Sequence, residues 1–247
     1  MLVKGCCVMR VDKRFLWIFA LLIGIIFNTN ALAGRVSGTI TFDGKKPSSR
    51  PISMDADPIC FAAHSGPVYP QTFVLGEANT LGNVFVYVKS GLPNTNYPSP
   101  AQEAILDQKG CNFNPHVLGV MVGQKVKILN PDGTLHNVHI MSKENQEANM
   151  AMPKFRTEVA VSFAKPEFMF PIRCDVHPWM VSWVAVMSNP FFKVTTTDGK
   201  FEIKDLPDGT YTIEAWHEKL GVKDSTVIIT AGNVQTVDFI FSSPNQN

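Results

Sequence analysis

Cys174-Asp175-Val176-His177-Pro178-Trp179-Met180 is the stretch that decides how this chain is read. A thiol, an imidazole and a thioether follow one another at spacings of three. A second cluster, His136-Asn137-Val138-His139, stands upstream. Together they offer two imidazoles, one thiolate and one thioether, donors that copper tolerates in both of its common oxidation states. Each part alone is weak: C-x-x-H recurs by chance, and a methionine three residues on is ordinarily a core residue. Two other chemistries use some of the same residues. Zinc takes cysteine and histidine, although a thioether is an odd fourth ligand for it. Cys174 beside His177 is also a nucleophile–base pair on paper, with no visible oxyanion motif to serve it.

The flanks of the stretch alternate. Glu167 to Arg173 and Val181 to Met187 read as strands, with Phe168, Phe170 and Ile172 expected on one face of the first. Cys174 then closes one strand and Met180 opens the next. His177 lies at the loop tip, and Pro178 stiffens the backbone beside it. Further out, strands are expected at Arg35–Phe42, Asn83–Val88, Ile105–Gln108, His116–Met121, Lys125–Leu129, His136–Met141 and Val159–Phe163. After Phe191 they continue at Lys193–Thr197, Phe201–Ile203, Tyr211–Trp216, Ser225–Thr230 and Gln235–Phe241. Asp198-Gly199 and Asp208-Gly209 carry hairpin-turn chemistry. Residues 142–156 read as a polar, methionine-containing loop or short helix, and no segment holds the period of an amphipathic helix. The chain is therefore expected to be all-β, built of sandwiches.

Composition narrows the function classes. The 247 residues carry a formal net charge of +1, which gives no electrostatic case for nucleic acid. Residues 1–33 have a basic start, an apolar run from Phe15 to Phe27 and an A-L-A end, the pattern of a cleaved secretory signal peptide. The apolar run is short for a membrane span. Without residues 1–33 the chain loses four of its 22 basic residues and one of its 21 acids, leaving net −2. A periplasmic or secreted location follows as an expectation. Cys6 and Cys7 leave with the leader, so Cys60, Cys111 and Cys174 remain. In an oxidising compartment a Cys60–Cys111 disulfide would leave Cys174 over, and a metal would account for it. A buried free thiol at Cys174, or three unpaired cysteines, are the alternatives.

On these motifs residues 101–188 resemble a cupredoxin, with a ligand loop of the amicyanin type within the plastocyanin-like group. The resemblance rests on Val126-Lys127-Ile128-Leu129-Asn130-Pro131-Asp132, on His136-Asn137-Val138-His139 and on the Cys174–Met180 stretch. It implies one mononuclear type 1 copper ion held by His136, Cys174, His177 and Met180, with His139 as runner-up for the first imidazole. It also implies that Asn137 hydrogen-bonds near the cysteine loop. A redox protein partner would dock near His177, Pro178 and Trp179, where the exposed edge of the loop histidine is the electron port.

The flanking residues resemble a carboxypeptidase-regulatory-like (transthyretin-like) β-sandwich. The matching pieces are Gly38-Thr39-Ile40, Gly44-Lys45-Lys46-Pro47, Asn83–Val88, Thr197–Phe201 and Leu206–Tyr211. Residues 34–100 plus 189–247 would then form a host sandwich into which the cupredoxin, 101–188, is inserted, with Cys60–Cys111 tying one to the other. The resulting expectation is an exported carrier of single electrons, not an enzyme. The rival readings are a surface- or carbohydrate-binding sandwich with a degenerate or structural metal site, and copper storage or delivery. His64 and His217 read as structural histidines. His116, His217 and the Met150/Met152 stretch are nonetheless the places where a second metal contact would be sought.

Overall fold

The computed structural model describes residues 33–243. Residues 1–32, which hold nearly all of the expected leader, lie outside them. Sixteen strands and one short helix follow in chain order: β1 (Gly34–Asp43), α1 (Pro58–Ala62), β2 (Phe85–Ser90), β3 (Ala104–Asp107), β4 (Val117–Met121), β5 (Val126–Leu129), β6 (His136–Ile140), β7 (Ala148–Met152) and β8 (Glu158–Val161). Then come β9 (Glu167–Arg173), β10 (Val181–Met187), β11 (Phe192–Val194), β12 (Lys200–Leu206), β13 (Gly209–His217), β14 (Gly221–Ile229), β15 (Val234–Thr236) and β16 (Phe239–Ser242). The protein is all-β, as the alternation predicts. Among the described residues no helix is long and apolar enough to cross a membrane.

Four sheets make two layered packings. One pairs the sheet β12-β1-β15, with β16 also on β1, against β11-β2-β13-β14. Its core joins Val36, Ile40, Phe42, Leu81, Val86 and Val88 to Phe201, Ile203, Tyr211, Ile213 and Phe241. The alternation of Val36, Ile40 and Phe42 sends one face of β1 inward. The other packing sets β4-β10-β9-β6-β7 against β3-β5-β8 around Leu106, Phe113, Val120, Ile128, Val138, Ile140, Phe170, Ile172 and Val184. Met54 and Cys60 belong to this second core, although they precede β2 in the chain. A third apolar layer joins the two packings: Phe85, Val117 and Ala185, with Trp183, Phe192 and Trp216 against them. Gly119 lets them close, because a Cβ there would stand 2.5 Å from Phe192 and 2.6 Å from Phe85.

Several local expectations are corrected. The stretch 142–156 is not a plain loop or helix, since β7 pairs there with β6. The Asp198-Gly199 and Asp208-Gly209 turns do not close hairpins. Each hands the chain to the opposite sheet, because β12 pairs with β1 while β11 pairs with β2 and β13 with β2 and β14. Gln235–Phe241 is two strands, both parallel to β1. Between them the Asp238 carboxylate accepts from Thr39 N, and a Cβ on Gly38 would meet the Val237 carbonyl at 1.8 Å. Phe168 does not share a face with Phe170 and Ile172. The register of β9 on β10 shifts there, with Met169 at φ 56°. The shift swings Phe168 out to pack on Phe85, Tyr87 and Trp216 instead.

Candidate metal centre

Register alone brings the two clusters of the sequence together. β6 runs antiparallel to β9 with His139 opposite Arg173 and Ile140 opposite Ile172. Carried three residues further, His136 lies beside the loop that leaves β9 at Cys174. That loop is closed on itself: Cys174 N donates to the Met180 carbonyl at 3.2 Å, and Met180 N donates to the His177 carbonyl at 2.9 Å. His136 Nδ1 stands 2.9 Å from His177 Nδ1. Cys174 Sγ lies 4.0 Å from the first of these nitrogens and 3.8 Å from the second. All three side chains are buried, at 0%, 3% and 1% exposure for His136, His177 and Cys174. The three donor atoms fall within 4.8 Å of one another, a spacing that one metal ion could bridge. Met180 is buried at the foot of the same loop, 1% exposed.

His136 is the imidazole that enters and His139 is not. A spacing of three along a strand puts the two on opposite faces. His139 instead faces Asp175 Oδ1 at 3.1 Å and Glu147 at 3.4 Å. Asn137 fastens the loop. Its Oδ1 accepts from Asp175 N at 2.6 Å, and its Nδ2 donates to Asn149 and Asp175. Its backbone N–H points at Cys174 Sγ, 3.5 Å away.

The outer nitrogens of both rings are occupied by carboxylates. His136 Nε2–H donates to Asp132 Oδ2 at 3.0 Å, and His177 Nε2–H donates to Asp57 Oδ2 at 3.1 Å. A proton held at Nε2 leaves the Nδ1 lone pair for the centre. Burial pulls His136 down, but the bonds to Asp132 and to the cysteine sulfur outweigh it and lift this imidazole to about 9. Burial lowers His177, and the charge on His136 adds to that despite Asp57. The two Nδ1 atoms face each other across a gap that a cation could enter beside the sulfur. Burial raises the Cys174 thiol, yet His136 and the backbone N–H of Asn137 bring it below the usual thiol range. The pocket is thus biased toward a thiolate, the form that ligates metals.

Two of these functional residues escaped the sequence reading. Asp57 caps α1, accepting from Ile59 N and Cys60 N. The signal was there: an aspartate directly before a proline is a helix-start signature. Asp132 figures in the sequence only as the last residue of the Val126–Asp132 stretch that carries the resemblance. The Cys60–Cys111 disulfide is present, and among the described residues Cys174 is the free cysteine. The disulfide also changes one expectation. The edge of His177 is not exposed, because Asp57 and Cys60 Sγ, 3.5 Å from Nε2, cover it. Pro178 is exposed and Trp179 half-buried; the Trp179 ring lies 5.1 Å from that of His177, and its Nε1 donates to the Cys111 carbonyl. The other candidates lie elsewhere. His64 Nε2 bonds the Gly110 carbonyl, and the Met152 sulfur accepts from Gln108. Met150 packs on the core, and His116 and His217 sit near Glu218.

No protein-family model matches this chain, and no curated protein does. Among solved structures, a Cu-containing nitrite reductase from Thermus scotoductus aligns at 18% identity and TM-score 0.33, over 40% of this chain and 25% of that one. Two structures of amicyanin variants align at 21% and 23% identity and TM-score 0.31, each over 41% of this chain and 98% of theirs.

Proposed function

We propose that this protein is an exported type 1 copper protein that carries single electrons, with one ion held by His136, Cys174, His177 and Met180. The observation that supports it best is the convergence of two Nδ1 atoms and one sulfur in a buried pocket, with both Nε2 atoms already committed to carboxylates. That donor set fits copper, because imidazole, thiolate and thioether together would suit both of its common oxidation states. Bound copper would supply a one-electron couple. The chain's part is to present the donors without rearrangement. Asn137 fixes the cysteine loop, the two aspartates fix the rings, and burial excludes water and competing ligands.

The rest of the reading goes with it. The Cys60–Cys111 disulfide suits a periplasmic or secreted location. A redox protein partner would approach by Pro178 and Trp179. Residues 34–100 plus 189–247 would serve as a host sandwich to the cupredoxin of 101–188. The visible spectrum of the copper-loaded protein tests the proposal. An intense thiolate-to-copper charge-transfer band is expected, and it should vanish in Cys174→Ala. A colourless copper complex, or a band that survives the substitution, would sink it.

A further inference from the structure

His136 and His177 are held by two arms of the same construction. Asp132 Oδ2 takes His136 Nε2–H, and its two oxygens also accept Gly110 N and Cys111 N, each at 2.7 Å. Asp57 Oδ2 takes His177 Nε2–H, and its Oδ1 accepts Ile59 N and Cys60 N at 2.8 and 3.2 Å. Cys60 and Cys111 are the two halves of the disulfide, and both are fully buried. Each carboxylate thus links one imidazole to the backbone of one bridged cysteine. Thr134 Oγ1 donates to Asp57 Oδ2 at 2.8 Å and ties the second arm to the β5–β6 loop that carries the first. Asp57 reaches His177 from 120 residues upstream, and its side chain is only 19% exposed.

We infer that Asp57 is a positioning residue for the metal centre, acting with Asp132 and the Cys60–Cys111 bridge as a bracket that closes the loop histidine from solvent and tunes the bound ion. The inference rests on the copper reading and extends it. A carboxylate on Nε2–H fixes the ring's tautomer and rotation and makes Nδ1 a stronger donor. Its negative charge also favours the more highly charged state of the ion. The bracket has a second consequence. Electrons crossing this face pass Asp57, the disulfide or the Trp179 ring, since no edge of His177 is free.

The test uses the full exported chain with Asp57→Asn and Asp57→Ala, and Asp55→Asn as a control on a neighbouring acid that meets only Ser53. Asparagine keeps an acceptor for His177 and still caps α1, but removes the charge. Three readouts are taken: exchange of the His177 Nε2 proton in the metal-free protein by nitrogen-15 NMR, copper affinity, and the midpoint potential of the copper form. Wild type and Asp55→Asn should show a slowly exchanging proton. Asp57→Ala should exchange it fast and lose about 10- to 100-fold in copper affinity. Asp57→Asn should keep the proton protected while the midpoint rises. Fast exchange in wild type, or an Asp57→Ala protein that is merely less stable with potential and affinity unchanged, overturns the inference. Absence of the charge-transfer band in wild type ends the copper reading instead, and the metal-free exchange data still judge the bracket.

Discussion

The molecule buries histidine beside carboxylate in two regions, and the contrast between them shows what makes a ligand site. At the candidate metal centre each imidazole spends one nitrogen on an aspartate and turns the other toward a sulfur. At the junction of the two sandwiches His116 spends both. Its Nδ1–H donates to the Val181 carbonyl at 3.0 Å and its Nε2 bonds Glu218, whose other oxygen accepts Trp183 Nε1 at 3.1 Å. His217 beside it accepts Lys219 N on Nδ1 and leaves Nε2 without a partner, among the rings of Phe73 and Phe241. Burial keeps that ring neutral, pushed down to about 4. Burial and a carboxylate neighbour are common to both regions. Only the first gathers spare soft donors on one point.

Exchanging the two regions' key residues is the sharpest way to break this comparison. Cys174→Ser should abolish the visible band and cut copper affinity by about a hundredfold or more, beyond what loss of an outer contact does. A titration of the copper-free protein followed by absorption would read both. His116→Ala should do the reverse. It strands a buried Glu218, so the unfolding free energy should fall by about 3–5 kcal/mol in a urea titration, with the band intact. Loss of the band in His116→Ala would join the two regions into one functional unit.

His217 gives a smaller effect with a defined sign. Its folded pKa is about 4, below the ordinary 6.5. Between these values the unfolded chain takes up a proton that the folded chain refuses. Stability is therefore full above pH 6.5 and falls as the pH drops to 4, by about 3 kcal/mol. His217→Asn should remove that part of the pH dependence, read as the difference between the two proteins' urea midpoints at pH 7 and pH 4. Equal slopes would mean that the ring takes up a proton in the fold as readily as in the unfolded chain. Smallest of all is His139→Ala. The side chain meets exposed acids, so a change of about 1 kcal/mol or less is expected, with the spectrum untouched. A bleached variant would move His139 into the centre.

Particular residues show where the sequence was informative. Strand positions were legible because Val36, Ile40 and Phe42 must share a face to be buried together. The Cys174–Met180 loop was legible because its donors are neighbours in the chain. Pairing was not. Asp198-Gly199 has the chemistry of a hairpin turn, yet the apolar faces of β11 and β12 are needed in opposite sheets, and burial outweighs turn preference. Phe168 was misassigned for a related reason. One shifted residue at Met169 reverses every side chain on that end of the strand, and alternation in the sequence does not reveal the shift.

What the sequence determined by itself is local chemistry: strands of period two, a loop carrying thiol, imidazole and thioether, and an odd cysteine once the pair is set aside. The choice of His136 over His139 rests in the sequence on resemblance alone, and its physical ground is the strand's register, which sets the face that turns inward. The two aspartates needed the tertiary structure altogether. Asp57 and Asp132 lie 120 and 4 residues from the histidines they hold, and neither separation carries a pattern. A hydrogen bond constrains positions in space and leaves the chain between them free, so only the folded packing, with Cys60 joined to Cys111, decides that His177 is closed in.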